Sequence, residues 1–309
     1  MSTVSWTGLR IEHPTRAPAT AGRSDRTSNG RPPHRDGAAS YTYLQGFGGT
    51  GVSTGTVFIS RHGHDGDAGP VLLLLHGLGA TGEVWSGLVD TVGDGWPGPI
   101  LVPDLPGHGR SGGLDRYSFG SLAAGIAGAL EPGRPVVVLG HSLGGVLGLT
   151  LGSGWFGVPV PAVCGLGMKM RWTTAELAKA AALAARPATT FATRAEAMDR
   201  ALRVAGLHGL TPELPSAIAD APAGWQLTLD NAAFGVGAPD LAGLLAACRA
   251  KVVLAAGQHD PMCPAEHLAE FGAPVLLAGC GHNAHVEKPA ALRPLLDQLL
   301  QAFLAINVQ

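Results

Sequence analysis

Charge is scarce in this 309-residue chain: only 14% of residues are Asp, Glu, Lys or Arg, and the formal net charge is −2. A balance that neutral carries no electrostatic footprint for nucleic acid or an anionic membrane surface. Cysteine is rare too. Cys164, Cys248, Cys263 and Cys280 show no CxxC pair and no metal-ligand spacing, so they read as reduced, packed thiols, and no metal site is expected. Aromatics make up 6% of the chain, and apolar runs such as Val71–Leu75 are far too short to span a bilayer. No apolar h-region follows a charged start, so the expectation is a cytoplasmic protein without a secretory leader.

What is abundant is apolar surface and punctuation: 46% hydrophobic residues, 46 glycines and 23 prolines. That suffices for one large α/β core with many loops. Residues 1–38 stand apart. Arg10, Arg16, Arg23, Arg26, Arg31 and Arg35 lie among Pro, Ser, Thr and Gly with little hydrophobic periodicity, which predicts a disordered basic tail.

From Tyr41 onward, short solid apolar runs alternate with helical patterns. Residues 41–47 and 56–61 alternate like paired antiparallel strands around the glycine-rich 48–55. Solid runs at 71–75, 100–102, 136–139, 163–166, 252–256 and 274–277 read as strands buried on both faces. Helical stretches fall at 84–92, 119–130, 143–151, 238–249, 265–271 and 290–306. This order predicts a mostly parallel sheet with helices on both faces, and ligands beyond the carboxyl ends of its strands. Between 169 and 233 the alternation stops. Helices at 174–185 and 194–204, capped by Thr173 and Thr193, and a third at 212–219 suggest a helical cap inserted between core segments 39–168 and 234–309.

The chemistry-bearing motifs sit at strand ends. Gly140-His141-Ser142-Leu143-Gly144-Gly145 follows an apolar strand and opens a helix, so Ser142 must occupy a sharp turn that lifts its hydroxyl above the sheet. A serine hydroxyl is too weakly acidic to attack unaided and needs a base. The loop 279–285 after the last strand offers two histidines. On chemistry alone either His282 or His285 could serve; His282 is preferred, with His285 expected to make a structural hydrogen bond. An imidazole base needs an acceptor to fix its tautomer. Asp260 lies on the loop after the preceding strand, whereas Gly167-Met168-Lys169-Met170 offers no carboxylate. The backbone N–H groups of Leu78 and Leu143 are positioned as oxyanion donors, with Gly79 as an alternative to Leu78. Met168, Met170, Trp172, Phe191, Trp225 and Phe234 are the candidate apolar pocket residues.

Two patterns are read as structural. Gly-rich 47–55 lacks the Lys-Ser/Thr ending of a phosphate cradle, and His62 and His64 with Asp65 and Asp67 resemble a solvated turn more than a metal site.

Taken in order, Leu-His-Gly-Leu-Gly at 75–79, Pro-Asp-Leu-Pro-Gly-His-Gly-Arg-Ser at 103–111, Gly-His-Ser-Leu-Gly-Gly at 140–145, Asp260 and Gly-His-x-x-His-x-Glu-x-Pro at 281–289 resemble the α/β-hydrolase superfamily, in its lid-bearing esterase and C–C hydrolase branch. The resemblance covers 41–166 and 236–309. It implies a triad in the chain order Ser142, Asp260, His282, with the first histidine of the last motif catalytic and Asp104 bracing its own loop. It also implies hydrolysis of an ester, thioester or lactone, without cofactor, and the apolar candidate pocket residues point to a medium-sized, mostly apolar small molecule as substrate. C–C hydrolysis, acyl transfer, another biosynthetic reaction on the same triad, and a noncatalytic ligand receptor stay open, as does a homodimer.

Overall fold

The computed structural model describes residues 40–44, 56–64, 69–92 and 95–306. The predicted tail at 1–38, the glycine-rich loop up to 55, Asp65 and Asp67 lie outside the described residues.

Along the chain the strands are β1 (Ser40–Leu44), β2 (Val57–Gly63), β3 (Val71–Leu75), β4 (Pro99–Pro103), β5 (Val136–His141), β6 (Ala162–Leu166), β7 (Thr190–Phe191), β8 (Ile218–Ala221), β9 (Gly224–Leu227), β10 (Lys251–Gly257) and β11 (Val275–Leu277). The α-helices are α1 (Ser86–Val92), α2 (Phe119–Gly128), α3 (Leu143–Gly152), α4 (Thr174–Ala184), α5 (Arg194–Val204), α6 (Leu241–Ala247), α7 (Ala265–Ala269), α8 (Ala284–Glu287) and α9 (Arg293–Ile306).

Eight strands form one sheet in the order β1-β2-β4-β3-β5-β6-β10-β11; β2 pairs antiparallel with both its neighbours, and the rest run parallel. Every residue of β3, β5 and β6 is buried. Successive side chains go to opposite faces. Leu72, Leu74, Val137 and Leu139 join α1 and α9 through Leu88, Leu295 and Leu299, while Leu73, Leu75, Val136 and Val138 join α2 and α3 through Leu122, Ile126 and Leu147. Two cores thus sandwich the sheet, which is why these strands read as unbroken apolar runs. Burying each such side chain stabilises by roughly 1.5–3 kcal/mol.

The segment between β6 and α6 departs from the expected all-helical cap. Helices α4 and α5 form as predicted, each opened by a capping box in which the Thr173 or Thr193 hydroxyl accepts from the N3 amide while Glu176 or Glu196 caps in return. The third helix does not form. In its place a 3-10 turn at Pro215–Ala217 leads into β8, and β7, β9 and β8 make a small antiparallel sheet. Pro215 removes an amide donor that a helix over 212–219 would need, and Pro222 lies in the turn between β8 and β9. Ala221 faces Gly224 across a two-residue turn, and Gly224, at φ +136°, sits where a Cβ would lie 2.2 Å from the Phe191 carbonyl oxygen. Predicted helix 238–249 is shorter, spanning α6 alone.

Candidate active site

The turn between β5 and α3 is the most constrained backbone in the described chain. Ser142 has φ 50° and ψ −113°, and it is the only non-glycine residue with positive φ among the described residues. Such a conformation costs on the order of 1–3 kcal/mol and persists only where the surroundings enforce it. Here they do. The Ser142 amide donates to the Leu166 carbonyl at 2.8 Å, pinning the turn to β6. A Cβ on Gly140 would lie 2.1 Å from the Gly144 carbonyl oxygen, and one on Gly144 would lie 2.2 Å from that of Leu75. The two glycines flanking the serine are therefore required by backbone-to-backbone approach.

That approach brings the loop after β3 against the turn: a Cβ on Gly77 would stand 3.4 Å from the Ser142 Cβ. Leu78 and Leu143 both line the cavity beside Ser142. Leu143 is the first residue of α3, so its N–H has no intrahelical acceptor.

The loops after β10 and β11 are fastened to each other. The His259 amide donates to the Cys280 carbonyl at 2.9 Å, and Gly257 has no room for a Cβ beneath the Gly281 carbonyl. Across this seam His282 Nδ1 donates to Asp260 Oδ2 at 2.9 Å. The other oxygen of Asp260 accepts from the amides of Met262 (2.8 Å) and Cys263 (3.1 Å), so this wholly buried carboxylate is fixed by three donors. It thus braces the turn leading to α7 as well as holding the ring. With Nδ1 occupied, Nε2 of His282 is left for the cavity that the ring shares with Ser142. The Ser142 hydroxyl and His282 make no hydrogen bond to each other in this structure. Such contacts often tighten only when substrate is bound.

Behind this pair lies a layer of buried histidines. His141 Nε2 donates to the His282 carbonyl at 3.0 Å, and its ring packs between those of His282 and His285, at centroid distances of 4.7 and 4.3 Å. Burial first, and the neighbouring imidazoles second, hold His141 well below the ordinary histidine value and push His285 down to about 3. Both are neutral spacers at neutral pH. The expected structural hydrogen bond of His285 is absent: its ring stacks on Trp85 at 4.6 Å and its buried Nδ1 has no partner. Packing, not hydrogen bonding, keeps it in place.

Asp104 stands apart from Ser142 and His282, as the motif implies. It accepts from the Gly82 amide (2.7 Å), the Arg110 amide (2.9 Å) and Arg110 Nε (2.8 Å), tying its loop together. Burial pulls its carboxyl up, but Arg110 and His76 together outweigh that and hold it below the usual value.

The cavity over Ser142 encloses about 450 Å³. Of the predicted pocket residues, Trp172 and Phe234 line it. The other four do not. Met168 is fully buried and fills the space against Gly145 and Gly165, where no Cβ competes. Met170 packs on the second core. Phe191 and Trp225 face each other across β7 and β9 and pack on the first core, a pairing that a helical segment would not make. The roof is instead supplied by Leu177, Ala180 and Leu183 of α4 and by Val204 of α5, with Phe119 and Met262 at the sides. The spacing of three in 177, 180 and 183 marks one helix face and was the available signal.

Comparison with known proteins now decides the family. The model of the alpha/beta hydrolase family matches residues 72–295. The chain belongs to that family. Within it, this alpha/beta hydrolase is 38% identical to the magnesium-chelatase 30 kDa subunit of Rhodobacter capsulatus over 102 residues, 32% of this chain and 34% of that protein. It is also 38% identical to a 2-succinyl-6-hydroxy-2,4-cyclohexadiene-1-carboxylate synthase of Yersinia pestis (strain Pestoides F) over 87 residues, 28% of this chain and 30% of that one. The matches thus span about a third of the length of these curated relatives. Among solved structures, a thioesterase domain from the curacin biosynthetic pathway superposes with a TM-score of 0.67 at 21% identity, covering 84% of this chain and 99% of that one, which shows the shared fold. No helix among the described residues is long and apolar enough to cross a membrane.

Proposed function

We propose that this alpha/beta hydrolase is a serine hydrolase that cleaves an ester, thioester or lactone of a medium-sized, mostly apolar small molecule through an acyl-enzyme. The observation that carries the reading is the strained Ser142, held at the floor of an apolar cavity that also admits the Asp260-bound ring of His282. A backbone strained around one hydroxyl has no structural use in a turn that glycine would satisfy more cheaply.

In this mechanism His282 Nε2 takes the proton of Ser142 Oγ as the oxygen attacks the substrate carbonyl. The developing oxyanion is met by the Leu78 and Leu143 N–H groups. Collapse breaks the bond to the leaving group, which receives the proton from His282. Water then gives a proton to the same nitrogen, attacks the acyl-enzyme, and releases the acid with Ser142 restored. Asp260 keeps the tautomer fixed and stabilises the imidazolium. The sequence of steps needs no metal or organic cofactor.

The test is fluorophosphonate labelling together with a panel of p-nitrophenyl esters, thioesters and lactones. Wild type should label and turn over at least one class. Ser142→Ala should lose all labelling and on the order of 10⁴-fold or more in kcat. Slow labelling that Ser142→Ala leaves unchanged would remove Ser142 from the chemistry.

A second reading is favoured by one observation, the 38% identity to a magnesium-chelatase subunit. In it the chain acts alongside a magnesium chelatase, with the same cavity used for recognition. Retention of chelatase subunits by the tagged chain, undiminished in Ser142→Ala, supports that reading; no retention counts against it.

A further inference from the structure

The described charges lining the cavity and its neighbour are nearly all positive. The main cavity and a smaller neighbouring cleft share Leu183, Val204 and Phe234 as a common wall. Lys169, Lys179 and Arg203 line the first, and Arg186 and Arg200 line the second. Among the described residues that line the two, the one carboxylate is Glu176, and it is already engaged by Lys169 and by the cap of α4. Arg203 is likewise satisfied, its Nε on Asp199 at 2.8 Å. Lys179, Arg186 and Arg200 make no ion pair or side-chain hydrogen bond with any described residue.

Three cations without a partner among the described residues, on α4, α5 and the segment between them, therefore line the two cavities: Lys179 the mostly apolar cavity over Ser142, Arg186 and Arg200 the neighbouring cleft. Exposed cations are common on any surface, but here they line two cavities that share a wall, and among the described lining residues no free acid accompanies them. A cavity with low-dielectric walls and cations of one sign concentrates anions.

We infer that the substrate bears a carboxylate or phosphate on its apolar body, held by Lys179, Arg186 and Arg200 at the seam of the two cavities while the scissile carbonyl reaches Ser142. This inference deepens the hydrolase reading and rests on it for the identity of the bound molecule as substrate. The chemistry shared by both groups is an oxyanion with at least two acceptor oxygens, which a guanidinium matches in bidentate fashion.

The experiment measures binding rather than turnover, so that it fails separately from the hydrolase reading. Full-length Ser142→Ala is titrated calorimetrically with octanoate, octyl phosphate and the neutral octanamide. The anions should bind about tenfold or more tightly than octanamide, with an advantage that shrinks as salt is raised. The tighter of the two anions names the group. In the additional triple variant Lys179→Gln, Arg186→Gln, Arg200→Gln the advantage should fall to within about twofold, while octanamide binding is kept and reports that the cap is folded. Should the triple variant not fold, Lys179→Gln and Arg200→Gln are measured singly and each should lose part of the advantage. Equal binding of octanoate and octanamide, or an anion preference that survives removal of all three cations, overturns the inference. Failure of wild type to label with fluorophosphonate would instead overturn the hydrolase reading and leave these titrations intact.

Discussion

Floor and roof of the same cavity are built on opposite principles. The floor is backbone against backbone. Gly140, Gly144 and Gly257 each leave about 2 Å where a Cβ would need nearly twice that, and α3 is buried along its whole length. The roof is the reverse: α4 has no buried residue, and it is held by a capping box, a Lys169–Glu176 pair and contacts with the 3-10 segment Asn231–Val236. A close-packed floor fixes reacting groups to a fraction of an ångström, which chemistry demands. A lightly held roof tolerates exchange of side chains, which a change of substrate demands. On the proposed hydrolase reading, the contrast puts the reacting groups in the sheet and the choice of substrate in the cap.

The largest effect that could break this division is at Asp260. Asp260→Asn keeps an oxygen for the Met262 and Cys263 amides but loses the charge opposite His282, so kcat/KM should fall on the order of 10⁴-fold with little change in melting temperature. A loss under tenfold would mean that the floor does not position His282 for catalysis. Next is Gly144→Ala, whose Cβ meets the Leu75 carbonyl at 2.2 Å. Destabilisation of about 3 kcal/mol or more in urea melts is expected, and an unchanged midpoint would show that the floor yields.

Acid should attack the floor before the roof. His76, His108, His141 and His285 are all held below 6.5 chiefly by burial, with His108 and His285 pushed down to about 3. The unfolded chain therefore binds more protons as pH falls through 6.5, and folded stability declines from there toward pH 3. The steepest slope is roughly 1.4 kcal/mol per pH unit for each histidine. Urea midpoints at pH 7, 6 and 5 test this, and His285→Phe should flatten the slope; equal midpoints would contradict a floor of neutral imidazoles. The smallest effect is reserved for the roof. Thr173→Ala removes the α4 cap and should cost about 1 kcal/mol locally, seen as faster amide exchange in 174–178 with global melting almost unmoved. A concerted loss of the whole fold would place the roof in the same cooperative unit as the floor.

The division also accounts for what could be read in advance. Strands β3, β5 and β6 were legible because burial on both faces leaves unbroken apolar runs, and the serine turn because its glycines answer to steric contact. Of the cap, α4 and α5 follow from their caps and spacing, but the small sheet escapes the pattern because none of its strands is buried on both faces. That sheet rests on Pro215, Pro222 and Gly224, single residues whose meaning depends on the partner strand. His285 was expected to hydrogen-bond, and no local pattern announces that a ring will be held by stacking on Trp85 instead.

By itself the sequence determined the parallel sheet, the strand ends that carry chemistry, and the identities of Ser142, Asp260 and His282 as candidates, because local sterics and hydrophobic patterning act within a few residues. Only the tertiary structure decided that Asp260 and His282 meet at 2.9 Å, that Met168 lies in the core while Leu183 and Val204 roof the cavity, and that Lys179, Arg186 and Arg200 come to line two adjoining cavities. Those are contacts between distant segments, fixed by the packing of whole elements rather than by any residue's near neighbours.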